Sequence, residues 1–226
     1  MKDKNIVIIG GNSGIGAQVK EILQAAGAEV FTYSRSQEGS QKLDVRSDFT
    51  EIEGIPEVVH GVLYCPGTIQ LKPFHRFGLD DFRNDLEINY LGAIKVLQVL
   101  QRPLKKSSGA SVVLVSTVAV QTGLGFHSSI AGAKGAVEGL TRSLAAEWAS
   151  NGIRVNAVAP SLTDTPLAEA LLSTPEKKEA AGKRHPLGRF GTVDDMAAAI
   201  HFLLSDSSSW ITGQVLKIDG GMSSIR

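Results

Sequence analysis

The 226-residue chain has a single cysteine, Cys65, and only three tyrosines, Tyr33, Tyr64 and Tyr90. One cysteine excludes an internal disulfide framework and a cysteine-based zinc site. Charge of one sign is also lacking. Lys plus Arg number 23 and Asp plus Glu number 23, so the formal net charge is zero. Without a basic stripe the chain is a poor candidate for nucleic-acid binding, because phosphate neutralisation supplies most non-specific affinity for polyanions. Long hydrophobic runs are missing too. The N-terminal run from Ile6 to Gly11 stops at polar Asn12, too short for a signal-peptide core, and no stretch approaches the length of a membrane span. The expectation is a soluble, cytoplasmic protein with neither a membrane nor a nucleic-acid partner.

Hydrophobic residues make up 42% of the chain and charged residues 20%, enough to bury a sizeable core and against disorder. The length suits one domain over residues 1–226. Asn5-Ile-Val-Ile-Ile9 is an apolar, β-branched run of the kind found in a strand covered on both faces. A glycine-rich loop follows. Helical spacing over 17–26 then places Val19, Ile22, Leu23 and Ala26 on one side, Gly27 stops the helix, and Glu29 to Tyr33 resumes a strand. Further strands are expected at 58–64, 111–116, 153–158 and 214–218. Helices are expected at 79–104, 128–150 and 192–204. This alternation implies right-handed crossovers and a parallel sheet with helices on both faces. The longest irregular stretch, 161–189, follows the carboxyl end of a strand, the edge where open α/β sheets bind ligands; residues 161–190 are read as a substrate-side loop and helices, with Thr165-Pro166 as a candidate helix start.

Gly10-x-x-x-Gly14-x-Gly16 lies between the first strand and the first helix. Glycines there permit a sharp turn and close approach of a diphosphate to the backbone, and the helix start offers free N–H groups and a partial positive charge. Gly10, Asn12, Ser13, Gly14, Ile15 and Gly16 are therefore candidate cofactor-binding residues.

At these residues the chain resembles the short-chain dehydrogenase/reductase family. Leu43-Asp44-Val45, Ile88-Asn89-Tyr-Leu-Gly92, Ile153-Arg-Val-Asn-Ala-Val-Ala-Pro160, Pro186-Leu-Gly-Arg-Phe-Gly191 and Thr212 to Gly221 continue the likeness in order along almost the whole chain. The resemblance implies an α/β, Rossmann-type, doubly wound parallel sheet of seven strands in the order 3-2-1-4-5-6-7. It implies a nicotinamide cofactor, a small-molecule substrate, and a homodimer or homotetramer built through the helices at 80–104 and 128–150. Asp44 and Val45 match the adenine contact, and Gly67, in Leu63-Tyr-Cys-Pro-Gly67, matches the cofactor floor where the family usually has Asn-Asn-Ala-Gly. Pro160, Thr163 and Thr165 match the nicotinamide-side loop, with Ser161 where the family usually has glycine.

The end of the second strand bears on cofactor choice. An acidic residue there would accept from the NAD ribose and repel a 2′-phosphate. Here the position is neutral Ser34, followed by Arg35, whose guanidinium can pair with a phosphate. This favours NADP, with NAD possible.

The catalytic pattern of the family is incomplete. Lys134 occupies the lysine position, Thr117 replaces the serine and Asn89 matches the helix asparagine, so Asn89, Thr117 and Lys134 are the candidate catalytic residues. The residue four before Lys134, where the resemblance places a proton-donating tyrosine, is Ile130. Three readings stand. Another group supplies the proton, with His127, Ser128, Ser129 or a water chain to Lys134 as candidates. The reaction needs no tyrosyl acid, as in reduction of an activated double bond. Or the chain is a non-catalytic NADP(H)-binding protein, a sensor or subunit. Leu162, Leu167, Leu171, Leu172 and Phe126 are candidates for an apolar substrate pocket or for ordinary core.

Overall fold

The computed structural model describes residues 1–36 and 39–225. Seven parallel strands form one sheet: β1 (Asn5–Ile9), β2 (Glu29–Ser34), β3 (Gln41–Lys42), β4 (Gly61–Tyr64), β5 (Ser111–Val115), β6 (Arg154–Pro160) and β7 (Val215–Ile218). Their order is β3-β2-β1-β4-β5-β6-β7, as the resemblance implied. The chain winds outward in both directions from β1 and β4, so the crevice at their carboxyl ends is the switch point of the sheet.

Strand side chains alternate between faces and build two cores. Val7, Ile9, Val62, Val112, Leu114 and Val155 point to one side. They meet Val96, Leu97 and Leu100 of helix α3 (Gly92–Lys105) and Val137, Ala145 and Trp148 of helix α5 (Ser128–Trp148). Ile6, Ile8, Leu63, Val113 and Val158 point to the other. They meet Val19 and Leu23 of helix α1 (Gly14–Ala25) and Ala197, Ile200, Leu203 and Leu204 of helix α7 (Val193–Leu204). Ile6, Ile8, Leu63 and Leu100 are completely buried, and each contributes roughly 1.5–3 kcal/mol relative to an exposed side chain.

Several boundaries differ from the sequence expectation, each for a local reason. The expected helix at 79–104 is two helices, α2 (Leu79–Leu86) and α3, joined by a π-helical turn at Glu87–Leu91. The wide turn loosens the backbone ladder, and the Tyr64 hydroxyl donates to the Ile88 carbonyl at 2.5 Å. Gly92 allows this approach, since a Cβ there would meet both the Tyr64 hydroxyl and Val45. The stretch read as irregular contains a 3₁₀ turn at Pro166–Leu171 and helix α6 (Pro175–Lys183). Both start on proline, and the Thr174 hydroxyl caps α6 by accepting from the Lys177 amide. Helix α1 begins three residues earlier than expected, inside the glycine loop. The strand expected at 58–64 pairs only from Gly61. A short helix α4 (Ala119–Thr122) follows β5. Among the described residues no helix is long and apolar enough to cross a membrane, and no cluster of His, Cys, Asp or Glu is suited to a metal ion.

Candidate active site

The carboxyl ends of β1, β4, β5 and β6 open onto one cleft of about 490 Å³. Its lining includes Gly10, Asn12, Ser13, Gly14, Ile15, Gly16, Gly67, Thr117, Ile130, Lys134, Pro160, Thr163 and Thr165. Lys134, Arg184, His127 and His185 also line it, and no Asp or Glu among the described residues does. The Lys and Arg groups of the wall, Lys134 and Arg184, are cationic with no carboxylate beside them in the lining, which suits a ligand carrying phosphates.

The glycine loop has the backbone that a diphosphate needs. Gly10 and Gly14 have φ of +82° and +52°. A Cβ at Gly16 would lie 2.1 Å from the Gly10 carbonyl oxygen, so only glycine fits where α1 crosses the loop. Helix α1 has no side-chain cap on Ser13 and no acidic residue in its first turn, which leaves the first N–H groups open to the cleft. The residues present fit a dinucleotide phosphate.

The residues expected on the adenosine side stand at the end of β2 and just beyond it. Ser34 is buried, and its hydroxyl donates to the Ser36 carbonyl at 2.5 Å. Ser36 also takes a hydrogen bond from the Asn12 amide at 2.6 Å, which ties the glycine loop to the strand end. Arg35 is exposed. Val45 is buried beneath Gly92. Asp44 accepts from the Arg46 guanidinium at 2.6 Å and 3.0 Å, and those bonds hold its carboxyl down at about 2. Ser34, Arg35, Asp44 and Val45 are not among the residues that line the cleft.

Asn89 and Lys134 converge on Gly67. A Cβ there would lie 3.4 Å from Asn89 Oδ1 and 3.7 Å from Lys134 Nζ. The Lys134 ammonium donates to the Val115 carbonyl at 2.7 Å, and burial pulls its pKa from 10.5 to about 8 against the opposing influence of Cys65 and Asp85. Burial pushes the Cys65 thiol up to about 12, so it is an uncharged neighbour at neutral pH. Asn89 is delivered by the π-helical turn. Its amide donates to the Asp85 carbonyl at 2.8 Å and to the Thr68 hydroxyl at 3.0 Å, while its Oδ1 is buried without a partner. Thr117 lies at the rim, with its hydroxyl accepting from the Ala119 amide at 3.3 Å.

Ile130 fills the position four residues before Lys134 and is 5% exposed in the cleft wall. No tyrosine among the described residues lines the cleft, and Tyr90 packs half-buried against the core under α3 and α5. Tyr33 is buried, donates to the Glu53 carbonyl at 3.0 Å and is pushed up to about 12 by desolvation. Tyr64 is held on Ile88, and burial raises its pKa well above the usual phenol range. Of the alternative donors, Ser129 is buried and turned to Asp85 at 2.6 Å, away from the cleft, and Ser128 is exposed. His127 lines the cleft with its Nδ1 against the Gly125 carbonyl at 2.6 Å. Leu162, Leu167 and Leu171 line the cleft. Leu172 is core, and Phe126 is exposed with φ of +68°.

Two buried partners, Asp85 and Glu138, escaped the sequence reading. Asp85, completely buried, accepts from Thr68 at 2.5 Å and from Ser129, which clamps α2 to the start of α5. Ser116 donates at 2.9 Å to Glu138, buried on α5, so its hydroxyl serves packing. Residues 40–223 match the family described as Enoyl-(Acyl carrier protein) reductase. The chain is 33% identical over 245 residues to a tropinone reductase homolog of Arabidopsis thaliana, covering 98% of this chain and 94% of that one. It is 34% identical over 233 residues to L-xylulose reductase of Bos taurus, covering 96% of each. A solved short-chain dehydrogenase/reductase of Mycobacterium ulcerans superposes with a TM-score of 0.89 at 27% identity, covering 100% of this chain and 92% of that one. The chain belongs to the short-chain dehydrogenase/reductase family. It is an oxidoreductase by that membership, and its seven-stranded order is the one that family likeness implied.

Proposed function

We propose that the protein is an NADP-dependent oxidoreductase that interconverts a small carbonyl compound and its alcohol, with a proton supplied by a group other than tyrosine. The observation that carries this reading is the approach of Asn89 and Lys134 to Gly67, at a cleft that Gly67 and Lys134 line and whose wall at residue 130 is isoleucine. Gly10, Asn12, Ser13, Gly14, Ile15 and Gly16 would hold the diphosphate of the cofactor, and Ser34 and Arg35 would receive a 2′-phosphate. Asp44 and Val45 would border the adenine. Gly67, Pro160, Thr163 and Thr165 would frame the nicotinamide, with Lys134 on its ribose. When bound, the reduced nicotinamide supplies the hydride. The chain's own residues then orient the acceptor at Thr117, exclude water with Ile130 and the cleft leucines, and neutralise the charge that grows on the substrate oxygen.

Preference for NADP rests on chemistry at the strand end: the residue that closes β2 is the neutral Ser34, and the exposed guanidinium of Arg35 follows it. Ile130 also favours a second reading, an NADP(H)-binding protein without turnover. A screen of ketose, tropinone-type and enone substrates with NADPH, run beside Ile130→Tyr, decides between them. Turnover by the natural protein supports the enzyme. Turnover that arises only in the variant supports the binding protein.

A further inference from the structure

His185 is 4% exposed yet lines the cleft, and the cofactor and substrate roles proposed for the cleft leave it without one. Its Nδ1 lies 2.7 Å from the Ala181 carbonyl. A carbonyl only accepts, so Nδ1 carries a hydrogen in every protonation state of the ring. The other nitrogen, Nε2, lies 2.9 Å from Ser161 Oγ. Ser161 follows Pro160 at the end of β6 and lines the same cleft. The Pro160 carbonyl takes the Val118 amide at 3.1 Å and lies 3.5 Å from the Thr117 hydroxyl, so Ser161 stands beside Thr117 on one rim. The second neighbour of Ser161 Oγ is Met222 Sδ at 3.3 Å, a weak acceptor.

We propose that Ser161 is the proton donor to the substrate oxygen and that His185 recharges it as the positioning residue behind it. With the ring protonated, Nε2–H donates to Ser161 Oγ, and the serine hydrogen rests only on the Met222 thioether. A substrate oxygen in the cleft displaces that weak acceptor. As hydride reaches the carbonyl carbon, the π pair moves onto oxygen. The Ser161 O–H bond breaks, its proton forms the new O–H bond, and the Nε2 proton moves to Ser161 Oγ. The imidazole is left neutral, with Nδ1–H still on Ala181, and takes its next proton from water. Alcohol oxidation runs the same transfers in reverse. This inference rests on the oxidoreductase reading above and names the donor that reading left open.

Several charged groups surround His185. Arg184 precedes it on the chain. Asp219, beyond β7, and the Arg189–Asp195 ion pair share a small cavity with it. Asp219 is held by Ser223 and by the Gly221 amide, which keep its carboxyl below the usual range despite burial. A pH dependence that comes from His185 must therefore disappear in a His185 variant and not merely shift with salt.

The test uses the full chain loaded with NADPH and a carbonyl panel that includes L-xylulose, for Ser161→Ala, Ser161→Thr and His185→Gln. Ser161→Ala and His185→Gln are expected to lower kcat by about a hundredfold, with the KM for NADPH within about twofold of the parent. Ser161→Thr, which keeps the hydroxyl, is expected to retain most of the rate. Nitrogen-15 spectra of the histidine rings in cofactor-free protein give a readout independent of turnover. The Nε2 resonance of His185, assigned through His185→Gln, is expected to move in Ser161→Ala. Unchanged kcat in Ser161→Ala, a rise confined to the KM for NADPH, or an unmoved Nε2 resonance would each overturn the proposal. A parent protein that binds NADPH and reduces nothing in the panel overturns the oxidoreductase reading itself, and this inference with it.

Discussion

Replacing Lys134 with methionine separates what the lysine does for function from what it does to the fold. The ammonium is buried, and its pKa falls from 10.5 to about 8, a difference worth about 3 kcal/mol against the folded state near neutral pH. Removing it relieves that penalty. It also strips the Val115 carbonyl of its 2.7 Å partner, which costs about 1–2 kcal/mol. Lys134→Met is therefore expected to be more stable than the parent without cofactor, by about 1–2 kcal/mol or about 2–8 °C in Tm. The same change is expected to weaken NADPH by about tenfold to a hundredfold, the worth of one charge-assisted hydrogen bond. The two effects carry opposite signs, so general damage to the fold cannot imitate them. Below pH 8 the lysine is charged in both states, and its penalty is fully present. Between about pH 8 and 10.5 the folded protein sheds the proton while the unfolded chain keeps it, so the parent gains stability as pH rises. Lys134→Met is expected to lose that rise. Calorimetric melting across pH and NADPH titration measure both arms. A variant that melts lower than the parent while binding NADPH unchanged would refute the reasoning.

Other consequences are as specific. Gly16→Ala places a methyl group 2.1 Å from the Gly10 carbonyl oxygen and is expected to reduce NADPH affinity at least about tenfold, read by fluorescence titration. Arg35→Glu is expected to weaken NADPH by about tenfold to a hundredfold while changing NADH little, and equal losses for both would remove Arg35 from the phosphate site. Tyr64→Phe deprives the Ile88 carbonyl in the π-helical turn of its donor and is expected to cost about 1–2 kcal/mol in urea unfolding. Kinetics unaffected by that change would show that the turn holds Asn89 without help from Tyr64.

The sequence was most legible where information is local. The apolar run at residues 5–9, the glycine spacing and the stop at Gly27 each report short-range physics, and they placed β1, the loop and α1 to within a few residues. Resemblance then supplied the strand order and the positions of Lys134, Asn89 and Thr117, and the first two meet at Gly67. The π-helical turn was not legible, because periodicity at 3.6 residues runs through Leu86 and Gly92 with little change, and the turn is held by a hydroxyl from another strand. Helices were expected within 161–190, but α6 was given no bounds because Pro175-Glu-Lys-Lys-Glu has no apolar stripe; its start signals, Thr174 and Pro175, were present. Ser161 and His185 lie 24 residues apart, and Asp85 and Ser129 lie 44 apart. Single-residue readings of those positions could not pair them, since only the folded loops bring their side chains together.

On the proposed reading a phosphorylated dinucleotide lies against the open amides of the glycine loop and reaches Lys134. Isothermal titration of the full chain with NADPH and with NADH tests it most directly. One site per chain, with tighter binding of NADPH and a weakened response in Gly16→Ala, is the predicted result. No heat with either dinucleotide would contradict the account.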